Sequence, residues 1–311
     1  MSERIIFIGH TSIDKVKNIY GEREQPGGAA LYSSIAAKTL YDNVGLISAI
    51  GKDYKYKHIF NIFKNKIIKE VRVPSTYFEI YYDEKWNAKY TKARIGAGRY
   101  VKAEIIPTHW MTRKNVFHIS PMTPSKVERI IDRIRKYTPK SMISVNSWSG
   151  YMKDGKQRKH LMNIMKKVDL MVLNETEAKL LAKTDSLTQA MNLLKCKMLV
   201  VTLGSLGALI KMNDEIMMVP ALTSMELKIM DTTGAGDSWC GAFLAAYKLT
   251  GEITKAIITA SLIATIKCTG WGFEELIKLR FQSADDVVKH ILKIKERDKQ
   301  KRLTEYFKRA I

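Results

Sequence analysis

Short apolar runs alternate with helix-patterned segments along this chain, and that rhythm limits the folds open to it. Residues 5–9, 44–50, 116–119, 142–145, 170–173, 198–203 and 208–211 read as strands. Between and after them, 29–40, 54–65, 125–137, 158–168, 176–183, 186–194 and 239–249 carry helical patterning. Strands that are apolar throughout, rather than every second residue, are buried on both faces. The pattern therefore predicts an α/β fold, a mostly parallel sheet covered by helices on both sides. Two further strand-like runs, 76–82 and 88–95, flank the turn Asp83-Glu84-Lys85 and read as a hairpin. No repeat, Pro/Gly linker or low-complexity tract divides the chain, so a single domain over 1–311 is expected, with the 76–95 hairpin as an appendage.

A chain of 311 residues can bury a full core, and 46% hydrophobic with 27% charged residues is ordinary for a soluble protein. No apolar run is long enough to cross a bilayer. The first strand starts so close to Met1 that no secretory leader fits before it. Cys196, Cys240 and Cys268 are scattered through apolar contexts without metal-ligand spacing, as buried free thiols are. A cytoplasmic protein is the expectation. The net charge of +21 attracts nucleotides, phosphorylated metabolites, nucleic acid or anionic membrane alike. Its excess concentrates from Lys289 to Arg309, where Ile291, Leu292, Ile294, Leu303, Tyr306 and Phe307 are interleaved. That segment reads as a docked helix with a solvated basic face; few of its residues are the aromatics that single-strand nucleic-acid binding favours.

The chemistry concentrates in Asp231-Thr232-Thr233-Gly234-Ala235-Gly236-Asp237, directly ahead of an apolar helix. Gly-Ala-Gly at a helix start lets backbone approach a ligand closely, with N–H groups aimed outward at the positive end of the helix dipole. That is an anion site. A carboxylate beside it is repelled by phosphate, so Asp237 makes sense there when it faces an attacking hydroxyl and accepts its proton. Positioning and charge stabilisation are most of what in-line phosphoryl transfer requires. The plainer alternative is a glycine-rich loop with an Asp helix cap, which would explain a lone Gly-x-Gly but not the whole run.

That run resembles the signature of ribokinase-type (PfkB) carbohydrate kinases, and the likeness extends in order over most of the chain. It implies a three-layer ribokinase-like sandwich, ATP as phosphoryl donor, Mg²⁺, Asp237 as general base, and Gly234, Ala235 and Gly236 as the anion hole. Gly9-His10-Thr11-Ser12-Ile13-Asp14 looks like the first strand and turn, whose Asp14 grips acceptor hydroxyls. Gly27-Gly28-Ala29-Ala30 is similar to the element where bare backbone lets the acceptor approach. Asn174-Glu175-Thr176-Glu177 matches the Asn-x-x-Glu element, implying that Asn174 and Glu177 support the phosphates and a hydrated Mg²⁺; the alternative is an Asn helix cap and a surface Glu. Val201 to Gly207 looks like the strand and turn along the nucleotide, placing Thr202, Gly204 and Gly207 with Thr233 on the nucleotide side. Residues 264–272 resemble the late helix and turn flanking the adenine.

The sequence departs from the family pattern in two places. The stretch from Lys15 to Pro26 is short, which predicts a reduced lid made only of the 76–95 hairpin. Where relatives carry Asp-x-Asn after a middle strand, this chain has Ser144-Val145-Asn146, so Asn146 joins the acceptor-side candidates. Thr76, Phe78 and Arg94 are added from the hairpin. The compact first segment with Gly-Gly-Ala-Ala resembles the subgroup that includes myo-inositol kinases, so the acceptor order expected is a cyclic polyol such as myo-inositol, then nucleosides, then ribose-like sugars. Two other classes of reading stay open: a nucleic-acid-binding protein on a kinase-like fold, and a catalytically idle sensor of sugars or nucleosides. A monomer and a homodimer are both compatible with the sequence.

Overall fold

The computed structural model describes residues 3–220, 227–293 and 296. Its strands are β1 (Ile5–Ile8), β2 (Ser12–Asn18), β3 (Gly21–Gly27), β4 (Val44–Gly51), β5 (Asn65–Val71), β6 (Thr76–Tyr82), β7 (Ala88–Arg94), β8 (Val116–Ile119), β9 (Met142–Asn146), β10 (Leu170–Asn174), β11 (Met198–Thr202), β12 (Gly207–Met212) and β13 (Glu215–Pro220). The helices are α1 (Ala29–Lys38), α2 (Pro124–Tyr137), α3 (Gly150–Lys153), α4 (Gly155–Lys167), α5 (Glu175–Ala182), α6 (Leu187–Leu193), α7 (Ala235–Thr250), α8 (Ile253–Cys268) and α9 (Glu274–Ile277).

The large sheet has the order β13-β12-β11-β10-β9-β8-β1-β4-β5, parallel except where β12 and β13 fold back on β11. Its central strands bury every residue, as in β1 and β8, which is why they read as continuous apolar runs. One face carries a core that includes Leu31, Phe243 and Ile263 from α1, α7 and α8. The other carries Val127, Ile130, Ile131 and Ile134 of α2, with Leu161 and Ile164 of α4. The spacing in α2 puts its apolar residues on one stripe, and Pro124 sits in the first turn, where a missing N–H costs nothing.

β1 pairs with β4 on one side and β8 on the other, both in parallel, so the connections leave it in opposite directions. A crevice opens beyond the carboxyl ends of strands at such a switch point, and ligands of open α/β sheets bind there. The fold thus selects the location of a site before any motif is considered.

The expectation of a lid confined to the 76–95 hairpin is corrected. A second sheet of order β3-β2-β6-β7 contains two strands from the segment read as a short connection. β2 pairs antiparallel with β3, Ser12 opposite Gly27, and parallel with β6, Ser12 opposite Thr76. Its small core is Val16, Ile80 and Tyr82, with Phe78, Trp86 and Trp271 packed against it. β3 escaped detection because Glu22, Arg23 and Glu24 are exposed and give no apolar alternation; ion pairs such as Lys15–Glu22 at 2.7 Å hold it instead. Likewise the helix expected over 54–65 is only a 3₁₀ segment, Lys57–Ile62, and the charged strand β5 follows it. In the basic segment, helical structure covers 284–293 with Val287 and Ile291 buried in the core. Most of what was read there, from Ile294 and Lys295 through Arg309, lies outside the described residues. Among those described, no helix is long and apolar enough to cross a membrane.

Candidate active site

The crevice at the switch point is a cleft of about 360 Å³ between the large sheet and the lid. Its floor comes from strand ends. His10 follows β1, Pro121 follows β8, and Asn146, Asn174 and Thr202 are the last residues of β9, β10 and β11. The first turn of α7 closes one side with Thr232, Thr233, Gly234, Ala235, Gly236 and Asp237. β2 and α1 contribute Asp14, Gly28 and Tyr32. Residues distant in sequence converge because parallel strands all deliver their carboxyl ends to one edge.

The turn before α7 is shaped by its own chemistry. Gly234 caps the helix at φ 72°, a left-handed conformation natural to glycine. The Tyr32 ring packs so closely behind it that a Cβ would collide. Asp231 Oδ1 accepts from Thr233 N at 2.8 Å, which folds the loop back before the helix begins. Gly236 is exposed to the cleft with open space where a side chain would stand. Since the first turn of a helix leaves N–H groups without intrahelical partners, this turn has the polarity of a phosphate cradle.

Three carboxyl groups share the cleft. Burial pushes Asp237 up to about 6, against the pull of a hydrogen bond from Asn146 Nδ2 to Oδ1 at 2.9 Å. Burial, helped by the charges of Asp231 and Asp237, lifts Asp14 to about 7, although Ser12 Oγ donates to it at 2.6 Å. Burial likewise lifts Glu177 to about 7. A carboxylate that titrates just below neutrality is a competent general base at physiological pH. Glu177 also closes a capping box on α5, accepting from Asn174 N at 3.0 Å while Asn174 Oδ1 accepts from Glu177 N at 2.8 Å. The Asn cap of the alternative reading is therefore realised, but Glu177 is buried rather than on the surface, and both residues line the cleft. No group of three or more His, Cys, Asp and Glu side chains suited to hold a metal occurs among the described residues.

The lid side is apolar and aromatic. Phe78 and Ile80 of β6 and Tyr90 and Ala93 of β7 line it, with Trp148 and Tyr151 from the segment after β9. Phe78 meets Tyr90 edge-on at 5.8 Å, Tyr90 meets Trp148 at 6.2 Å, and Trp148 meets Tyr151 at 5.3 Å. This ladder carries the wall from the lid onto the main sheet.

Most of the residues singled out in the sequence gather here: Asp14, Gly28, Phe78, Asn146, Asn174, Glu177, Thr202, Thr233 and the 234–237 turn. Five do not line the cleft. Gly27 backs onto the Asp14 carboxylate, leaving no room for a side chain. Gly204 and Gly207 bracket the 3₁₀ turn ahead of β12, outside the cleft. Thr76 is consumed internally, its Oγ1 donating to Ile95 O at 2.6 Å and accepting from Gly98 N. Arg94 lies opposite Tyr77 rather than Phe78, so it points away from the cleft, toward Asp53 and the Tyr77 ring. Strand alternation explains that correction. His10, Tyr90, Trp148 and Tyr151 were missed; the aromatics of Trp148-Ser149-Gly150-Tyr151 were an available signal, whereas Tyr90 reaches the cleft face through a register shift in the β6–β7 pairing that strand alternation does not reveal.

A phosphate cradle, a near-neutral carboxylate beside it and a β lid over both are the parts of an enzyme that phosphorylates an alcohol. The family model described as "pfkB family carbohydrate kinase" matches residues 3–276, and the chain belongs to that family. A cytidine kinase of Thermococcus kodakarensis is 27% identical over 251 residues, 78% of this chain and 88% of that protein. A nucleoside kinase of Methanocaldococcus jannaschii is 25% identical, covering 85% of this chain and 91% of the relative. Among solved structures, ribokinase from Giardia lamblia superposes with a TM-score of 0.78 at 21% identity over 92% of this chain and 99% of that one. The ribokinase-like fold is thereby shown, and with it a phosphotransferase with a hydroxyl acceptor.

Proposed function

We propose that this protein is an ATP-dependent kinase that phosphorylates a hydroxyl of a nucleoside. The carrying observation is the aromatic ladder Phe78, Tyr90, Trp148 and Tyr151 in the same cleft as the buried Asp14. A nucleobase has a π-face for such a wall, worth roughly 1–3 kcal/mol per stacked base. Myo-inositol and free ribose have none. This reading therefore sets a nucleoside ahead of the cyclic polyol that the compact first segment resembles. Relatives named as cytidine and nucleoside kinases support the same order.

In this reading Asp14 accepts hydrogen bonds from the sugar hydroxyls and the ladder holds the base. Asp237 accepts the proton of the attacking hydroxyl, whose oxygen forms a bond to the γ-phosphorus of ATP. The bond from that phosphorus to the bridging oxygen breaks, ADP carries away the electron pair, and Asp237 later gives its proton to solvent. The backbone of Gly234, Ala235 and Gly236 stabilises the charge on the transferring group. Thr202 and Thr233, with Asn174, border the phosphates.

A single carboxylate already committed to a helix cap fits a largely hydrated cation held through water rather than a dedicated cage, which is how Mg²⁺ is commonly bound. Glu177 and Asn174 are the residues that would hold it, and when bound it offsets phosphate charge.

An ATP-consumption assay across nucleosides, ribose and myo-inositol tests the proposal. The expected result is a kcat/KM for at least one nucleoside about 100-fold above both other compounds, matching one stacked base. Equal turnover of myo-inositol would overturn the acceptor assignment. In the same assay Asp237→Asn lowers kcat by about 10³-fold with ATP affinity kept; a variant at wild-type rate would remove Asp237 as the base.

A further inference from the structure

Lys267 has a charged ammonium at a place with no exposure at all, on the last turn of the apolar helix α8. Its Nζ donates to Asp231 O at 2.6 Å and lies 3.5 Å from Asp231 Oδ2, and Asp231 is equally inaccessible. The Asp231 carboxylate is saturated with donors: Thr233 N at 2.8 Å, Gly272 N at 2.8 Å and Gln25 Nε2 at 3.0 Å. Those partners belong to three separate pieces of chain, namely the phosphate turn, the loop after α8 and lid strand β3. The ammonium also sits 5.6 Å from the centroid of the Tyr32 ring, the ring that backs Gly234. Two routes, one through Asp231 and one through Tyr32, therefore run from this one cation to the turn.

A buried ion pair is a poor way to gain stability, because removing both charges from water costs about as much as their attraction returns. An apolar pair of similar volume would hold α8 against the turn equally well. What an apolar pair cannot do is orient a backbone carbonyl and keep a carboxylate ionised to accept three N–H groups at once. Burial alone would raise the pKa of Asp231, yet the Lys267 charge and the hydrogen bonds from Gln25 and Thr233 hold it below the usual carboxylate range.

We propose that Lys267 is a positioning residue for phosphoryl transfer: its ammonium fixes both the carbonyl and the carboxylate of Asp231, and thereby sets the 231–236 turn in the shape that receives the phosphoryl group. The inference rests on reading that turn as the phosphate cradle. It touches neither substrate. Its action is on the geometry of the step, where a displacement of about 1 Å can cost 100-fold in rate.

The test compares Lys267→Met with the double variant Lys267→Met/Asp231→Asn, measuring Tm, kcat and both KM values well below either melting transition. The single variant leaves a buried carboxylate unpaired, so it loses Tm and kcat together. The double variant removes both charges and is expected to regain most of the lost Tm while kcat stays about 100-fold down and the nucleoside KM stays within about threefold. If the double variant regains wild-type kcat along with its Tm, the pair is only structural and the inference falls. Asp237→Asn separates the two failures: a slow Asp237→Asn enzyme beside a fast double variant overturns the role of Lys267 alone, whereas a fast Asp237→Asn enzyme overturns the cradle-and-base reading beneath it.

Discussion

At Asp237 the group proposed to remove a proton is held where burial disfavours its charged form. The folded chain raises its pKa from the ordinary carboxylate value of 3.8 to about 6. Because the folded pKa exceeds the unfolded one, the native state binds more protons between those values, and stability declines as pH rises through that window. The penalty is complete above about pH 7 and fades toward pH 4. Asp237→Asn should therefore raise stability by about 1–3 kcal/mol at pH 7.5, by urea unfolding, with a gain that shrinks on titration toward pH 4. A gain that is the same at both pH values would show that ionisation is not its source. Asn146 carries the opposing influence. Its Nδ2 donates to Asp237 Oδ1 at 2.9 Å, stabilising the ionised form. Removing that donor in Asn146→Ala leaves desolvation unopposed. The acidic limb of the kcat/KM profile then moves to higher pH, by about one unit; an unmoved limb would deny the coupling. At this scale the sequence was informative wherever chemistry is contiguous. Asp231 to Asp237 sits in one stretch, so its place at the cleft was readable, whereas the Asn146–Asp237 bond joins residues 91 positions apart and had no local signature.

Secondary-structure elements were readable to the extent that burial wrote itself into composition. β1, β4 and β8 are buried throughout and were found, but β3, β5 and β13 carry exposed charges or edge positions and were not. The undersized lid is the consequence. A strand held by cross-strand ion pairs and a partner's backbone gives no hydrophobic alternation to detect. The aromatic ladder is likewise a product of assembly, since β7 brings Tyr90 to Trp148 only once the lid sheet has formed. Tyr90 is 46% exposed and Trp148 45% exposed, and neither belongs to a core cluster, so truncating them should leave the fold intact. Tyr90→Ala and Trp148→Ala are each expected to raise the nucleoside KM about tenfold while the ATP KM stays within about twofold, in steady-state kinetics with each substrate varied in turn. If either substitution raised the ATP KM instead, the wall would belong to the donor and the two halves of the cleft would be exchanged.

The whole molecule presents a contrast between its surface and its cleft. The chain carries a net charge of +21, yet no Lys or Arg lines the cleft among the described residues, and Asp14, Asp237 and Glu177 do. A nucleotide with several negative charges therefore meets a long-range attraction from the surface and a short-range opposition from three carboxyl groups. Burial eases the opposition by lifting Asp14 and Glu177 to about 7, so that part of their charge is absent at neutral pH. The attraction has no such local source, and it acts through solvent over distances that salt screens; the Debye length is roughly 10 Å at 0.1 M and roughly 30 Å at 0.01 M. Raising NaCl from 20 to 300 mM, roughly a fourfold shortening of that length, should lower kcat/KM for ATP by about three- to tenfold. The proposed nucleoside acceptor is neutral and feels no net force from this field, so its kcat/KM, measured at saturating ATP, should change by less than about twofold over the same range. A salt effect equal for both substrates would trace instead to the enzyme's conformation or to chemistry after binding, and the positive surface would then have no part in capturing the donor.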